Sequence, residues 1–317
     1  MIQDTDCKHP VVTFALFAFN QEKYIRDAVL GALSQTYEPL EIILSDDCST
    51  DRSFEIMQDV VSSYEGNHRV SVRRNRQNLG LAAHINSVLM DSNGQIVVLA
   101  AGDDVSLPER TAESVELLCK NPTATSVLMS GDVINEDGRV VSEKIISKNK
   151  NAESVQCLND LLSWTHVTFG ACRAFRKELF KVFGPLREDC PTEDTPLLLR
   201  SLIMGDNILS PKKGVLYRRH DNNLSGVESL ISMKIEKIYD QYESDLSKAA
   251  ELGLLNFSEV KSIRSWMKSD LRARIVSLRS LSGSRLSLSD CFFIFRHPKF
   301  DIKQTLLLFF KNMKLVK

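Results

Sequence analysis

Four short stretches of this 317-residue chain carry residues able to do chemistry together. Gly102-Asp103-Asp104 sets two adjacent carboxylates behind a glycine. At the rim of a sheet such a pair holds a hard divalent cation against phosphate oxygens, and glycine lets the backbone turn sharply and come close to a ligand. Ser45-Asp46-Asp47-Cys48-Ser49-Thr50-Asp51 holds a second acidic pair. Within it Ser49, Thr50 or Asp51 is expected to cap the following helix, and Asp47 to accept the imide hydrogen of a uracil or thymine ring. Glu193-Asp194 opens a later helix, where the helix dipole by itself favours acids. Tyr217-Arg218-Arg219-His220-Asp221-Asn222-Asn223-Leu224-Ser225 places a histidine in a basic stretch. Its two arginines suit either phosphate contacts or plain solvation.

These residues need elements to position them. Apolar runs at Val11 to Phe17, Ile42 to Leu44, Val70 to Val72, Gln95 to Ala100 and Ser126 to Ser130 read as strands. Between them Glu22 to Leu33, Asp51 to Tyr64, Gly80 to Met90 and Pro108 to Lys120 carry apolar residues at helical spacing. Strand and helix in alternation predict a doubly wound, mostly parallel α/β sheet. Ligands of such sheets lie at the carboxyl ends of the strands, which points to Ala18–Asn20, Asp46–Asp51 and Gly102–Asp104. Further on, Asn135–Gly138 predicts a tight turn between two strands, and Ser142 to Ser154 a mobile, Lys-rich loop. Strands are expected at Ala171 to Phe175 and Val215 to Arg218, and helices at Lys177 to Phe183 and Glu193 to Met204. From Glu228 onward the chain reads as amphipathic helices, giving domains of residues 1–226 and 227–317.

Composition excludes several classes. Hydrophobic residues make up 43%, charged residues 26%, and the net charge is −1, so no nucleic-acid partner is expected. The seven scattered cysteines form no C-x-x-C pair, which argues against a disulfide framework or zinc knuckle and for reduced thiols. The first ten residues lack a signal peptide's basic and apolar regions. The longest apolar runs, such as Leu306 to Phe310, fall far short of a membrane span. A cytoplasmic protein is expected.

In combination these stretches resemble the family 2 glycosyltransferases of GT-A fold, from about Val11 to Ser225. The quoted residues are Phe19 to Ile25 with Ala32 to Tyr37, Leu44 to Asp51, Asn78-Leu79-Gly80-Leu81-Ala82, Gly102-Asp103-Asp104, Glu193-Asp194, and Tyr217, His220, Asn223 and Ser225. Cys48 stands where the family pattern has glycine. Ala101 stands where it has the first Asp of the metal motif, so contacts to the sugar or ribose are expected to differ. The resemblance implies an inverting, metal-dependent transferase of the hexosyl or N-acetylhexosaminyl kind, acting in bacterial surface polysaccharide synthesis. Phe17, Ala18, Asn20 and Asp47 would hold the nucleoside, with Asn78 and Gly80 beside base or ribose. Asp103 and His220 would bind Mn²⁺ or Mg²⁺, with Gly102 and Asp104 next to the donor. Asp194 would be the catalytic base and Glu193 its neighbour in the substrate site. Trp164, His166 and Arg173 fall in the stretch that lines the acceptor side, where Trp164 suits stacking on a sugar ring or ordinary core packing.

The expected donor is a UDP- or dTDP-sugar and the acceptor a glycan or lipid-linked glycan. A catalytically silent nucleotide-sugar-binding subunit is the alternative that Ala101 suggests. A sugar nucleotidyltransferase is disfavoured, because Ala18-Phe19-Asn20-Gln21 is not a Gly-rich basic loop. The C-terminal region reads first as a helical cap on the catalytic domain, and otherwise as a peripheral contact with an anionic membrane.

Overall fold

The computed structural model describes residues 9–300 apart from 222, 224 and 225. Cys7, Asn222, Leu224, Ser225 and the Leu306–Phe310 run therefore lie outside the described residues. The chain divides into two compact units, Met1–Cys157 with Val167–His220, and Leu158–His166 with Asp221–Lys317. The expected boundary after residue 226 thus falls at His220, and the short segment carrying Trp164 belongs with the C-terminal unit.

In the first unit strands and helices alternate: β1 (Val12–Ala18), α1 (Ile25–Leu33), β2 (Leu40–Asp46), α2 (Ser53–Ser62), β3 (Arg69–Arg74), α3 (Leu81–Asp91), β4 (Ile96–Ala101), β5 (Val105–Ser106), α4 (Arg110–Lys120) and β6 (Ala124–Ile134). Then come β7 (Val140–Lys144), β8 (Ser154–Gln156) and, in the other unit, α5 (Leu158–Leu162). A 3-10 turn (Gly170–Cys172) leads into β9 (Arg173–Arg176), α6 (Glu178–Phe183), α7 (Asp194–Met204) and β10 (Asp206–Arg218). The sheet runs β3-β2-β1-β4-β9-β6-β10-β5, with β7 on β6 and β8 on β10. It is parallel from β3 through β4 and between β6 and β10, while β9 enters antiparallel to β4 and β6.

β1 and β2 are buried along their whole length, as parallel strands covered on both faces must be. Because side chains alternate, Phe14, Leu16, Ile42 and Val98 pack towards α1 and α2. Ala15, Phe17, Ile43 and Leu99 pack towards Ile85, Val88 and Leu89 of α3. Register brings the carboxyl ends together: Phe17 pairs with Ser45 and with Ala101, and Asp46 with Arg74.

The stretch expected to be a mobile loop is built instead. Val140–Lys144 pairs with β6, Ile146 and Ser147 are buried, and Ser147 Oγ donates to the Ala152 carbonyl at 2.6 Å. The tight turn at Asn135–Gly138 forms as expected, with Gly138 at φ +81° and its N–H on the Asn135 carbonyl.

The second unit contains α8 (Val227–Ser232), α9 (Glu236–Glu251), α10 (Phe257–Leu281) and α11 (Leu288–Arg296). Capping boxes start α10 at Asn256/Glu259 and α11 at Ser287/Asp290. Asp270 is buried and accepts from Tyr239 Oη at 2.5 Å, Arg274 Nε at 2.7 Å and Lys299 Nζ at 3.0 Å. Among the described residues no helix is long and apolar enough to cross a membrane. Cys48, Cys157, Cys172, Cys190 and Cys291 are free thiols. Cys119 is disulfide-bonded, which corrects the expectation of reduced thiols throughout.

Candidate active site

The turns after β1 and β2 lock onto each other. Asn20 stands at φ +53° and Cys48 at φ +62°, the left-handed region that costs a non-glycine residue energy. Cys48 thus adopts the conformation that a glycine would supply at this position. Asn20 repays its strain locally, since its N–H bonds Ser49 Oγ at 2.8 Å and its Oδ1 accepts from the Thr50 N–H at 2.8 Å. Asp51 accepts from the Ser53 N–H at 2.9 Å, but the N-cap of α2 is Arg52 and no side chain caps it, so the expected cap by Ser49, Thr50 or Asp51 is not made.

Asp47 is 3% exposed. Its carboxylate accepts from Asn75 Nδ2 at 2.8 Å and from the N–H groups of Leu79 at 2.9 Å and Gly80 at 3.0 Å. Three acceptor positions of about four thus fasten the segment before α3, leaving one for a ring N–H. Gly80 sits at φ +80°, so there glycine is a conformational demand. Asn78 Oδ1 accepts from the Gly80 N–H at 2.9 Å and shapes its own turn. Phe17 turns its ring inward against His84, with centroids 5.0 Å apart, so at β1 the backbone faces the strand ends.

At the end of β4, Gly102 is needed for room. A Cβ there would stand 2.4 Å from Gln21 Oε1 and 2.9 Å from Ile25 Cδ1. Next to it Asp103 Oδ2 meets His220 Nε2 at 3.0 Å, and Tyr24 covers the imidazole with ring centroids 4.8 Å apart. Asp104 faces away into the protein. It is buried, accepts from the Arg218 N–H at 2.8 Å, and burial with the neighbouring Asp103 charge pushes its carboxyl well up. It therefore latches β10 to the acidic loop and does not face a donor, which corrects its expected role.

Arg218 is neither solvated nor a phosphate ligand. It is 2% exposed. It donates to the carbonyls of Asp103 at 3.0 Å and Glu136 at 2.9 Å, pairs with Asp27 at 3.0 Å, and lies over the Tyr24 ring. One buried guanidinium thus holds the Asp103 loop, the β6–β7 turn and α1 together.

Two ligands on neighbouring vertices of an octahedron with bonds of about 2.1 Å stand about 3 Å apart. The Asp103 and His220 atoms already have that separation; the carboxylate suits Mn²⁺ or Mg²⁺, and the imidazole favours the transition ion Mn²⁺ over Mg²⁺. Among the described residues no group of three or more His, Cys, Asp or Glu could hold a metal. Two protein ligands with the rest left to diphosphate and water is how such ions are commonly bound. The residues present fit the ion.

The second acidic pair reaches the same edge of the sheet. β9 is antiparallel to β4 with Ala174 opposite Val98, so the residues before it run on towards the carboxyl end of β4. There Gly170 adjoins Asp194: a Cβ on Gly170 would stand 1.9 Å from Asp194 Oδ1. That oxygen is buried and has no hydrogen-bond partner. Arg173, fully buried on β9, donates to Ser126 Oγ and Thr168 Oγ1 at 3.1 Å and to the Asp194 carbonyl at 3.4 Å. Burial raises the Asp194 carboxyl, while Arg173, the Gly170 backbone, Lys144 and Glu193 act against the rise. Glu193 is pushed up to about 8 by burial and by Asp194, so at neutral pH it keeps its proton.

Lys144 was hidden in the supposed loop. Its Nζ lies 3.7 Å above the Phe169 ring centroid and 5.4 Å from that of Tyr217. Burial lowers the pKa of its ammonium, while Cys172, Asp194 and Asp104 favour the charge. The structure pairs Asp103 with His220, sets Asp194 beside Gly170, Glu193 and Lys144, and has Arg218 hold the Asp103 loop. Trp164 lies in the C-terminal unit at φ +65°, edge-on to His297 with centroids 4.2 Å apart and tilted against Trp266 at 5.8 Å.

The model of a family described as "Glycosyl transferase family 2" matches residues 13–184. An uncharacterized protein of Mycobacterium tuberculosis is 29% identical over 213 residues, 65% of this chain. The match spans 58% of that relative's length. S. aureus TarS 1–349, solved in complex with UDP, superposes with a TM-score of 0.59 at 16% identity, covering 96% of this chain and 87% of its own. The mannosyltransferase PcManGT of Pyrobaculum calidifontis, in complex with GDP-Man and Mn²⁺, gives 0.56 at 15% identity, covering 98% and 88%.

Proposed function

Because the chain belongs to glycosyl transferase family 2 and has the GT-A fold, we propose that it moves a sugar from a nucleoside-diphosphate donor to an acceptor hydroxyl with inversion at the anomeric carbon. The observation that carries this reading is the buried, unpartnered Oδ1 of Asp194 at the sheet edge that also holds Asp103 and His220. A general base needs an acceptor atom with nothing already bound to it. An oxygen without a partner in a buried setting is costly, and a substrate hydroxyl removes that cost.

In the proposed reaction the acceptor oxygen attacks the anomeric carbon from the face opposite the diphosphate. As the new C–O bond forms, its proton passes to Asp194. The bond to the donor phosphate oxygen breaks, and its electron pair leaves with the nucleoside diphosphate. Asp103 and His220 would hold the divalent ion, which when bound offsets charge building on the leaving group. Asp194 heads α7, where the helix dipole favours its ionised form. Glu193, protonated, donates towards it and keeps a second negative charge out of the cleft. Lys144 steadies the carboxylate.

The donor pocket runs along Ala18, Asn20, Asp47 and Asn78 to Gly80. A uridine or thymidine diphosphate sugar fits the single acceptor position left on Asp47. The solved relatives bind UDP in one case and GDP-Man with Mn²⁺ in another. A glycan or lipid-linked glycan is the proposed acceptor, in bacterial surface polysaccharide synthesis. Ala101 alone favours the silent-subunit reading, whereas the assembled Asp103–His220 and Glu193–Asp194 pairs favour turnover. A panel of nucleotide sugars with Mn²⁺ tests this. Turnover of one of them, lost in chelator and in Asp103→Ala, is expected. Full activity in chelator contradicts the metal assignment, and binding without turnover for every donor and acceptor supports the silent subunit.

A further inference from the structure

β10 ends at Arg218, so strand pairing does not set the plane of the His220 ring two residues later. Its Nε2 lies 3.0 Å from Asp103 Oδ2. The ring also lies against Tyr24, with centroids 4.8 Å apart and planes inclined by 31°. The contact with Asp103 cannot hold the ring once an ion is bound. A cation seated between carboxylate and imidazole takes a lone pair from each, and the proton they share leaves. The hydrogen bond is then gone, although the ring must still present Nε2 in a fixed direction. Contact between the two rings survives that exchange, because neither nitrogen takes part in it.

Tyr24 is itself held from several sides. It is buried at the entrance to α1. Its N–H bonds the Gln21 carbonyl at 2.9 Å, and its own carbonyl accepts from the N–H groups of Asp27 at 3.0 Å and Ala28 at 3.3 Å. Gln21 and Ile25, before and after it, fit closely against Gly102, where a Cβ would stand 2.4 Å and 2.9 Å from their side chains. The turn that carries Tyr24 is thus fixed against the loop that carries Asp103. The Arg218 guanidinium lies 4.9 Å from the Tyr24 ring centroid, and cation–π attraction adds to the hold.

We propose that Tyr24 is a positioning residue for the metal site: its ring keeps the His220 imidazole aimed at the ion after the ion has displaced the hydrogen bond between His220 and Asp103. Partners that orient a ligand in this way tune how tightly a metal is held. The role rests on Asp103 and His220 being the ligands, and Mn²⁺ binding tests the two separately, with no donor or acceptor present.

The test is a titration of the full chain with Mn²⁺ alone, followed by the EPR signal of the free ion. Tyr24→Leu and Tyr24→Met, which lack the ring, should bind Mn²⁺ about three- to tenfold more weakly. Tyr24→Phe, the conservative variant, keeps the ring and should restore the affinity. His220→Ala should also bind more weakly than wild type, and adding Tyr24→Leu to it should change nothing more, since no imidazole is left to aim. A merely structural loss would lower the affinity equally with and without His220, and thermal midpoints report any general loosening. Wild-type affinity in both ringless variants overturns the proposal, and so does an equal loss in the His220→Ala background. Wild-type affinity in His220→Ala, or no saturable Mn²⁺ binding by the wild type, overturns the ligand assignment and the role of Tyr24 with it. Weakened binding in His220→Ala beside wild-type binding in the ringless variants removes Tyr24 alone.

Discussion

Gly170 and Asp194 are fitted to each other: any Cβ on the glycine would stand 1.9 Å from the carboxylate oxygen of the aspartate. Gly170 is not at a positive φ, so it is held there by space. Gly170→Ala must push the proposed base aside, and a displacement of about 1 Å costs roughly a hundredfold in rate. The expected result is a kcat about a hundredfold lower with donor affinity unchanged, read from steady-state kinetics and from calorimetry with the nucleoside diphosphate. Wild-type kcat would show that the Asp194 carboxylate does not act from this position.

Lys144 favours the ionised form of Asp194. Removing its charge should raise the Asp194 pKa, so activity that depends on ionised Asp194 should appear only at higher pH. In Lys144→Met the acidic limb of kcat/KM against pH should move upward. Activity should fall about three- to tenfold on the acid side and recover towards the alkaline side. A uniform loss at every pH would make Lys144 a packing residue on Phe169 and Tyr217.

Glu193 makes a separate prediction about stability. Its folded pKa is raised to about 8 from an ordinary 4.5. Between those values the folded protein keeps a proton that the unfolded chain has lost. Stability therefore falls as pH rises through that window and levels off above about 8. Glu193→Gln carries no such proton, so its thermal midpoint should vary less over the window and lie above wild type near pH 8. A wild-type slope in the variant would remove the protonated Glu193 from the account.

Arg218 joins three segments from a buried position. Replacing it by Met leaves the Asp103 and Glu136 carbonyls without their donor. The loss of stability should be about 2–4 kcal/mol, measured by urea denaturation. Arg218→Lys should recover little of it, because one ammonium cannot reach partners arranged for a planar fork. Full recovery by Lys would mean that charge alone matters there.

Much of the fold could be read in advance because β1, β2 and β4 are continuous apolar runs, and burial on both faces leaves no other pattern open to them. The acidic and histidine residues were found through motifs, since Asp103 and His220 lie far apart in sequence and only the sheet brings them to 3.0 Å. The missed features depend on long-range packing. Lys144 looked like part of a polar loop because its partners, Phe169 and Tyr217, lie elsewhere in the chain. The length of β10 was masked where Pro211-Lys212-Lys213-Gly214 interrupts the apolar pattern and the register shifts against β6. Arg218 had no local sign of burial, because its carbonyl partners carry no signature in sequence. Asp47 was read as a ligand to a base, and its second task, accepting from Asn75 Nδ2 and from the Leu79 and Gly80 N–H groups, had no sign in the sequence.

The most direct test of the central claim compares two properties of Asp194→Asn, transfer rate and affinity for the nucleoside diphosphate. With Asp194 as the base, transfer should fall at least about a thousandfold while affinity in the presence of Mn²⁺ stays within about threefold of wild type. Transfer at the wild-type rate, or lost affinity with transfer retained, would contradict the claim.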